Sequence, residues 1–85
     1  MAEITIYTTN SCPYCHSAKA LLASKGAAYR EIDVTGNMQA RAELRQKAGG
    51  SHTVPQIWIG ASHIGGCDEL YALDGAGRLD PLLAR

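Results

Sequence analysis

Ser11-Cys12-Pro13-Tyr14-Cys15 is the stretch on which the reading of this chain turns. It follows the alternating run Glu3-Ile4-Thr5-Ile6-Tyr7-Thr8. It precedes a segment in which Tyr14, Ala18, Leu21 and Leu22 fall at i, i+4, i+7 and i+8. Period-two alternation rich in β-branched residues predicts a strand, and the wider spacing predicts one face of a helix. Pro13 suits the first helical position, where its missing N–H costs nothing. Gly26 suits the C-terminal stop. Cys12 then caps the helix, with free backbone N–H groups and the positive end of the helix dipole directed at its sulfur. Such a position favours thiolate, the reactive form, over thiol. At C-x-x-C spacing the two sulfurs meet within about one helical turn. A disulfide can therefore form and break there with little movement of the chain.

Working outward, Ala28 to Val34 reads as a second strand. Strand, helix, strand is a βαβ unit, so the first two strands are expected to be parallel. Gly36-Asn37 is a turn, and Met38 to Ala48 carries strong helix formers stopped by Gly49-Gly50. Val54 to Ile59 is a third strand with Pro55 near its start, where a lost N–H is tolerable. Gly60-Ala61-Ser62 makes a tight connection to a short strand at His63-Ile64, which predicts an antiparallel hairpin. Gly65-Gly66 then leads into a helix over Cys67 to Leu73 with acids in its first turn. Gly75-Ala76-Gly77 is a loop, and Asp80-Pro81 opens a short last helix carrying Leu82 and Leu83.

At 85 residues, positions 1–85 make one domain. The chain is 46% apolar but has no Phe and one Trp, so Ile, Leu, Val and Ala must fill the core. Eight basic and eight acidic side chains cancel, which argues against a nucleic-acid binder with its usual basic face. No apolar run approaches the length that spans a bilayer. Met1-Ala2-Glu3 lacks the basic and apolar regions of a secretory signal, so a cytoplasmic protein is expected. Three cysteines, two of them in C-x-x-C, make a poor disulfide framework and fit redox chemistry in a reducing compartment.

Three separated motifs agree: Cys12-Pro13-Tyr14-Cys15 after the first strand, Thr53-Val54-Pro55 before the third, and Gly65-Gly66-Cys67-Asp68 before the third helix. In this order and spacing they resemble the glutaredoxins, and closely the small bacterial dithiol type. The resemblance spans nearly the whole chain. It implies an α/β, thioredoxin-like fold: a four-stranded mixed sheet, first two strands parallel and last two an antiparallel hairpin, with helices on both faces. It implies a thiol–disulfide oxidoreductase that uses glutathione as reducing co-substrate, with no bound metal or prosthetic group. Protein disulfides and glutathionylated proteins are the implied partners, ribonucleotide reductase among the candidates, and a monomer is expected.

Cys12 is then the nucleophile, and Cys15, one turn in and more buried, the resolving thiol. The competing reading, half of a zinc site, needs four ligands. Cys67, His16, His52 and His63 stand at no finger-like spacing. Tyr14 is either a core aromatic or, as the family implies, a ring that flanks the thiol and contacts glutathione. Only about 5–6% of X–Pro bonds in folded proteins are cis, so a cis Val54-Pro55 beside the cysteines is implied by the resemblance alone. Such a bend would offer the Val54 backbone to the cysteinyl part of glutathione, in the manner of strand addition. Thr53 and Pro55 belong to the same wall. Gly66, with backbone N–H groups near Cys67 and Asp68, can be a plain helix cap. Alternatively, it receives the γ-glutamyl carboxylate while the Asp68 side chain takes the ammonium. His16, Trp58 and Tyr71 read as surface or packing residues, and Arg41 with Arg45 as a solvated basic stripe.

One departure stands out. Glutaredoxins commonly carry a Lys shortly before the motif, where this chain has Thr9. Thr9 can donate a hydrogen bond but has no charge, so weaker glutathione affinity, or a basic substitute from elsewhere, is expected. Two further alternatives remain at this point: an iron–sulfur cluster module held by Cys12 and glutathione across a dimer, and an electron donor fed by a protein reductase.

Overall fold

The structure is a computed structural model and describes residues 2–84. Strand β1 (Ile4–Thr8) turns Ile4, Ile6 and Thr8 inward and leaves Thr5 and Tyr7 partly exposed, as period-two alternation requires. Helix α1 (Pro13–Ser24) buries Cys15, Ala18, Leu21 and Leu22. It ends where Gly26 takes up φ +68°, a conformation other residues avoid. Strand β2 (Arg30–Asp33) returns parallel to β1, Thr5 opposite Arg30 and Thr8 opposite Asp33. Helix α2 (Met38–Lys47), strands β3 (Gln56–Ile59) and β4 (Ser62–Gly65), and helices α3 (Cys67–Gly75) and α4 (Leu79–Leu83) complete the order. The sheet runs β2-β1-β3-β4, with β1/β3 and β3/β4 antiparallel.

This is the expected mixed sheet with helices on both faces, a thioredoxin-like fold. On one face Ile4, Ile6, Ile57 and Ile59 pack with Leu22 of α1, Leu70 of α3 and Leu79 and Leu83 of α4. On the other, Trp58 and Val34 pack with Leu44 of α2 and Ala48, against Tyr7 and Val54. The end of β1 is polar but satisfied. The Thr8 hydroxyl, 1% exposed, donates to Glu31 Oε2 at 2.7 Å, and Lys19 Nζ reaches the same oxygen at 3.0 Å. Thr8 first, then Lys19, holds the Glu31 carboxyl below the usual carboxylate range.

Several element boundaries differ from those expected. The second strand is confined to Arg30–Asp33 because β2 lies at the sheet edge and has only Thr5–Thr8 to pair with. Val34 leaves the ladder, although its N–H still donates to the Thr8 carbonyl at 2.9 Å. Val54 and Pro55, expected at the start of the third strand, stay outside β3, with Val54–Pro55 cis as the resemblance implied. Asn37 is the N-cap of α2, its Oδ1 accepting from the Ala40 N–H at 2.9 Å, rather than only a turn residue. Helix α3 continues through Gly75, and α4 starts at Leu79, a fully buried residue whose packing sets the helix start ahead of Pro81.

Candidate functional site

Cys12 is the N-cap of α1 at φ −98° and ψ 109°, with Pro13 as the first helical residue. The Cys15 N–H donates to Cys12 Sγ at 3.2 Å. A donor at that distance, backed by the helix dipole, stabilises negative charge on sulfur. The sulfur also remains partly accessible. Cys15 is fully buried, 0% exposed. Burial first, and then the hydrogen-bonded Cys12 sulfur, push the Cys15 thiol up to about 12. The two sulfurs are thus differentiated: one reachable and met by a backbone N–H, one hidden with its thiol held protonated.

This has a consequence for stability. In the unfolded chain Cys15 ionises near the ordinary thiol value of 9.0, whereas folded it keeps its proton to about 12. Between those values the native state holds more protons than the unfolded state, so stability falls as pH rises. The slope is at most about 1.4 kcal/mol per pH unit for one proton. Thermal melts of the reduced protein from pH 7 to 11 should show a decline beginning near pH 9 that is shallower in Cys15→Ser. Lys19 and Lys25, both held above the ordinary lysine value by carboxylate partners, lose their contribution at higher pH and should do so in both proteins. Identical alkaline slopes would show that Cys15 does not titrate in this way.

Facing the cysteines is the Thr53-Val54-Pro55 turn. The Val54 carbonyl lies 3.5 Å from Cys12 Sγ, across 42 residues of sequence. A groove of about 280 Å³ opens here, with the Tyr14 ring on one side and Thr53, Val54 and Pro55 on a second. Gly66, Cys67, Asp68 and Glu69 close it at the start of α3. A Cβ on Gly66 would stand 3.3 Å from the Pro55 carbonyl, so a glycine is what lets α3 approach the turn this closely. Tyr14 is 64% exposed, which rules out the core-aromatic reading. Cys67 is buried, and burial first, then Asp68, raises its thiol, so it presents backbone rather than reactive sulfur.

Seven of the residues singled out from sequence thus share one groove wall or another, and Cys12 and Cys15 sit at its edge. Thr9 is placed differently. It does not line the groove, and its backbone lowers the Cys15 thiol somewhat against the larger effect of burial. Glu69 was not anticipated as part of the site. Its Oε1 accepts the Gly66 N–H at 2.7 Å, a reach-back bond that its position three residues after the cap could have signalled. Arg41 is more than a solvated stripe. Its Nη2 donates to the His52 carbonyl at 2.9 Å, one residue before Thr53.

A family model described as Glutaredoxin matches residues 4–64. Glutaredoxin 3 of Escherichia coli (strain K12) is 58% identical over 83 residues, covering 98% of this chain and 99% of its own length. The chain belongs to the glutaredoxin family. The glutaredoxin of Pseudomonas aeruginosa is 57% identical over 84 residues, covering 99% of each. Among solved structures, the glutaredoxin of Brucella melitensis matches with a TM-score of 0.86 at 53% identity, over 98% of this chain and 89% of that one. A buckwheat glutaredoxin–glutathione complex matches with a TM-score of 0.89 at 32% identity, over 98% of this chain and 77% of that one. This glutaredoxin is accordingly a thiol–disulfide oxidoreductase built around its Cys12/Cys15 pair. Among its described residues no helix is long and apolar enough to cross a membrane.

Proposed function

We propose that this chain reduces protein–glutathione mixed disulfides and protein disulfides, with glutathione as the source of electrons. Cys12 thiolate attacks the glutathionyl sulfur of a modified protein, the protein thiolate leaves, and Cys12 becomes glutathionylated. The thiolate of a second glutathione attacks that disulfide, releasing oxidised glutathione and regenerating Cys12 thiolate. With a protein disulfide, Cys12 forms a mixed disulfide with one substrate sulfur. Cys15 attacks Cys12, the reduced substrate leaves, and two glutathione molecules reduce the resulting Cys12–Cys15 disulfide.

The observation that carries this reading is the placement of the Val54 carbonyl 3.5 Å from Cys12 Sγ, on the wall of a groove sized for a short peptide. A backbone edge beside the nucleophile can pair with the cysteinyl residue of glutathione and bring its sulfur to Cys12. The start of α3 supplies N–H groups for the γ-glutamyl carboxylate, and exposed Asp68 a carboxylate for its ammonium. The buckwheat glutaredoxin–glutathione complex, alike in fold, gives the reading independent support. A glutathione-coupled assay on a glutathionylated peptide tests it: turnover in the wild type and none in Cys12→Ser is expected. Turnover with a thioredoxin reductase but not with glutathione would replace glutathione as the donor.

Arg41 is the basic substitute for the Lys that Thr9 replaces. It does not line the groove itself, but its Nη2 is anchored on the His52 carbonyl, one residue before the Thr53 wall, from where the guanidinium can attract the glycyl carboxylate. Loss of one partly exposed charge contact is worth about 1 kcal/mol, roughly fivefold in affinity. Arg41→Ala should therefore raise the glutathione KM about fivefold at unchanged kcat, and Thr9→Lys added to it should recover part of the loss. If neither substitution moves KM, the glycyl carboxylate is not held by this charge.

A further inference from the structure

We propose that Gln56, held by His63, is a positioning residue that sets the Thr53–Val54 backbone for a glutathionyl substrate; the assignment rests on the function proposed above. Gln56 is the first residue of β3 and sits opposite Tyr7, on the central pair of the sheet. It is 2% exposed, at a position where an apolar residue would pack without any polar requirement. Burying an amide is unfavourable unless its donors and acceptor are all used. Here they are. Nε2 donates toward the Thr53 carbonyl at 3.0 Å, Thr53 Oγ1 at 3.2 Å and Ser51 Oγ at 3.2 Å. Oε1 lies 2.7 Å from His63 Nε2.

The chemistry of the partners permits one arrangement. A carbonyl only accepts, so the amide nitrogen must face Thr53 and the amide oxygen must face His63. An amide oxygen also only accepts, so His63 Nε2 must carry a hydrogen. The His63 ring is fixed in turn, stacked on Trp58 with centroids 4.5 Å apart and planes at 24°. Trp58 is itself packed edge-on against Tyr7 at 5.4 Å, under the Lys47 ammonium at 4.8 Å. A shift of register between Ile57 and Trp58 sets His63 opposite Trp58, on the face where Gln56 lies two residues away.

The result is a continuous polar link from an exposed ring on β4 to the inner side of the substrate-facing turn. Thr53 has its carbonyl and hydroxyl both engaged from within, so the turn cannot rotate without breaking the buried amide's bonds. Val54 follows directly, and its carbonyl is the group set against Cys12 Sγ. Gln56 touches neither cysteine nor the groove. It acts on the reaction only through the orientation of Thr53 and Val54.

The experiment compares two mixed disulfides of one peptide, with glutathione and with 2-mercaptoethanol. Of the two small thiols, only glutathione has peptide groups for the Val54 backbone to pair with. Gln56→Met keeps the volume and removes the hydrogen bonds; it should lower kcat/KM on the glutathionylated peptide about tenfold, mainly through KM, and change the mercaptoethanol disulfide less than about twofold. His63→Ala, at an exposed position of β4, removes the partner of the Gln56 amide oxygen; it should lower the glutathionyl reaction about threefold, and on the Gln56→Met background it should add nothing. A parallel fall on both substrates, or independent additive effects of the two substitutions, overturns the link. A wild type without preference for the glutathionylated peptide would overturn the proposed function and this assignment together. A wild-type preference that survives in both variants would overturn this assignment alone.

Discussion

Cys12→Ser is expected to remove turnover on every disulfide substrate, by on the order of a thousandfold or more, as loss of a sole nucleophile does. Cys15→Ser should behave differently. Deglutathionylation needs one protein sulfur, so its rate should stay within a few-fold of wild type, whereas protein-disulfide reduction should fall by at least about tenfold because the mixed disulfide on Cys12 has no internal thiol to resolve it. The geometry behind this asymmetry is the accessible sulfur on the N-cap against the fully buried one a turn later. Mass spectrometry of the trapped Cys15→Ser intermediate should find substrate attached to Cys12. Equal losses on both substrate classes, or an adduct found on Cys15 in Cys12→Ser, would contradict the assigned roles.

Gly65→Ala should destabilise the fold by about 2–4 kcal/mol. Gly65 holds φ +110°, and a non-glycine residue forced into a sparsely populated region costs about 1–3 kcal/mol. The added methyl would also stand 2.7 Å from Glu69 Oε1, the oxygen that accepts the Gly66 N–H. Displacing Glu69 breaks that reach-back bond at the start of α3, worth about 1 kcal/mol more. For a domain of this size a melting point lower by roughly 4–8 °C per kcal/mol follows. Because Gly66 and Glu69 also wall the groove, glutathione affinity should weaken along with stability. Gly75→Ala is the control: Gly75 lies within α3, and a Cβ there meets nothing within 4 Å. An unchanged melting point in Gly65→Ala would mean that α3 can begin without the Glu69 contact.

Much of the site was legible because its parts are local. The Cys12 cap, Pro13 at the first helical position and the Cys15 N–H on the Cys12 sulfur all fall within four residues. The helix start that favours a thiolate is written in adjacent side chains. Strand alternation in Ile4 to Thr8 is equally local, and it specified the inward face of β1. The third helix was legible from its glycines and first-turn acids, but that the turn and the helix start belong to the site was recognisable only from motifs. Residues 53–55 and 66–68 have no periodicity that announces a wall, and their relation to Cys12 rested on family resemblance.

What the sequence by itself determined is the pattern of elements, the reactive pair and the order of the motifs, since these follow from backbone conformation over a few residues. Tertiary structure alone decided which groups meet. The Val54 carbonyl reaches Cys12 across 42 positions, and His63 meets Gln56 across 7 only because β3 and β4 pair in a shifted register. Arg41 finds the His52 carbonyl across 11 positions because α2 packs beside the segment that leads into β3. Hydrogen bonds between distant segments depend on how sheet and helices pack, and a one-residue change of the β3/β4 register would turn His63 to the face opposite Gln56.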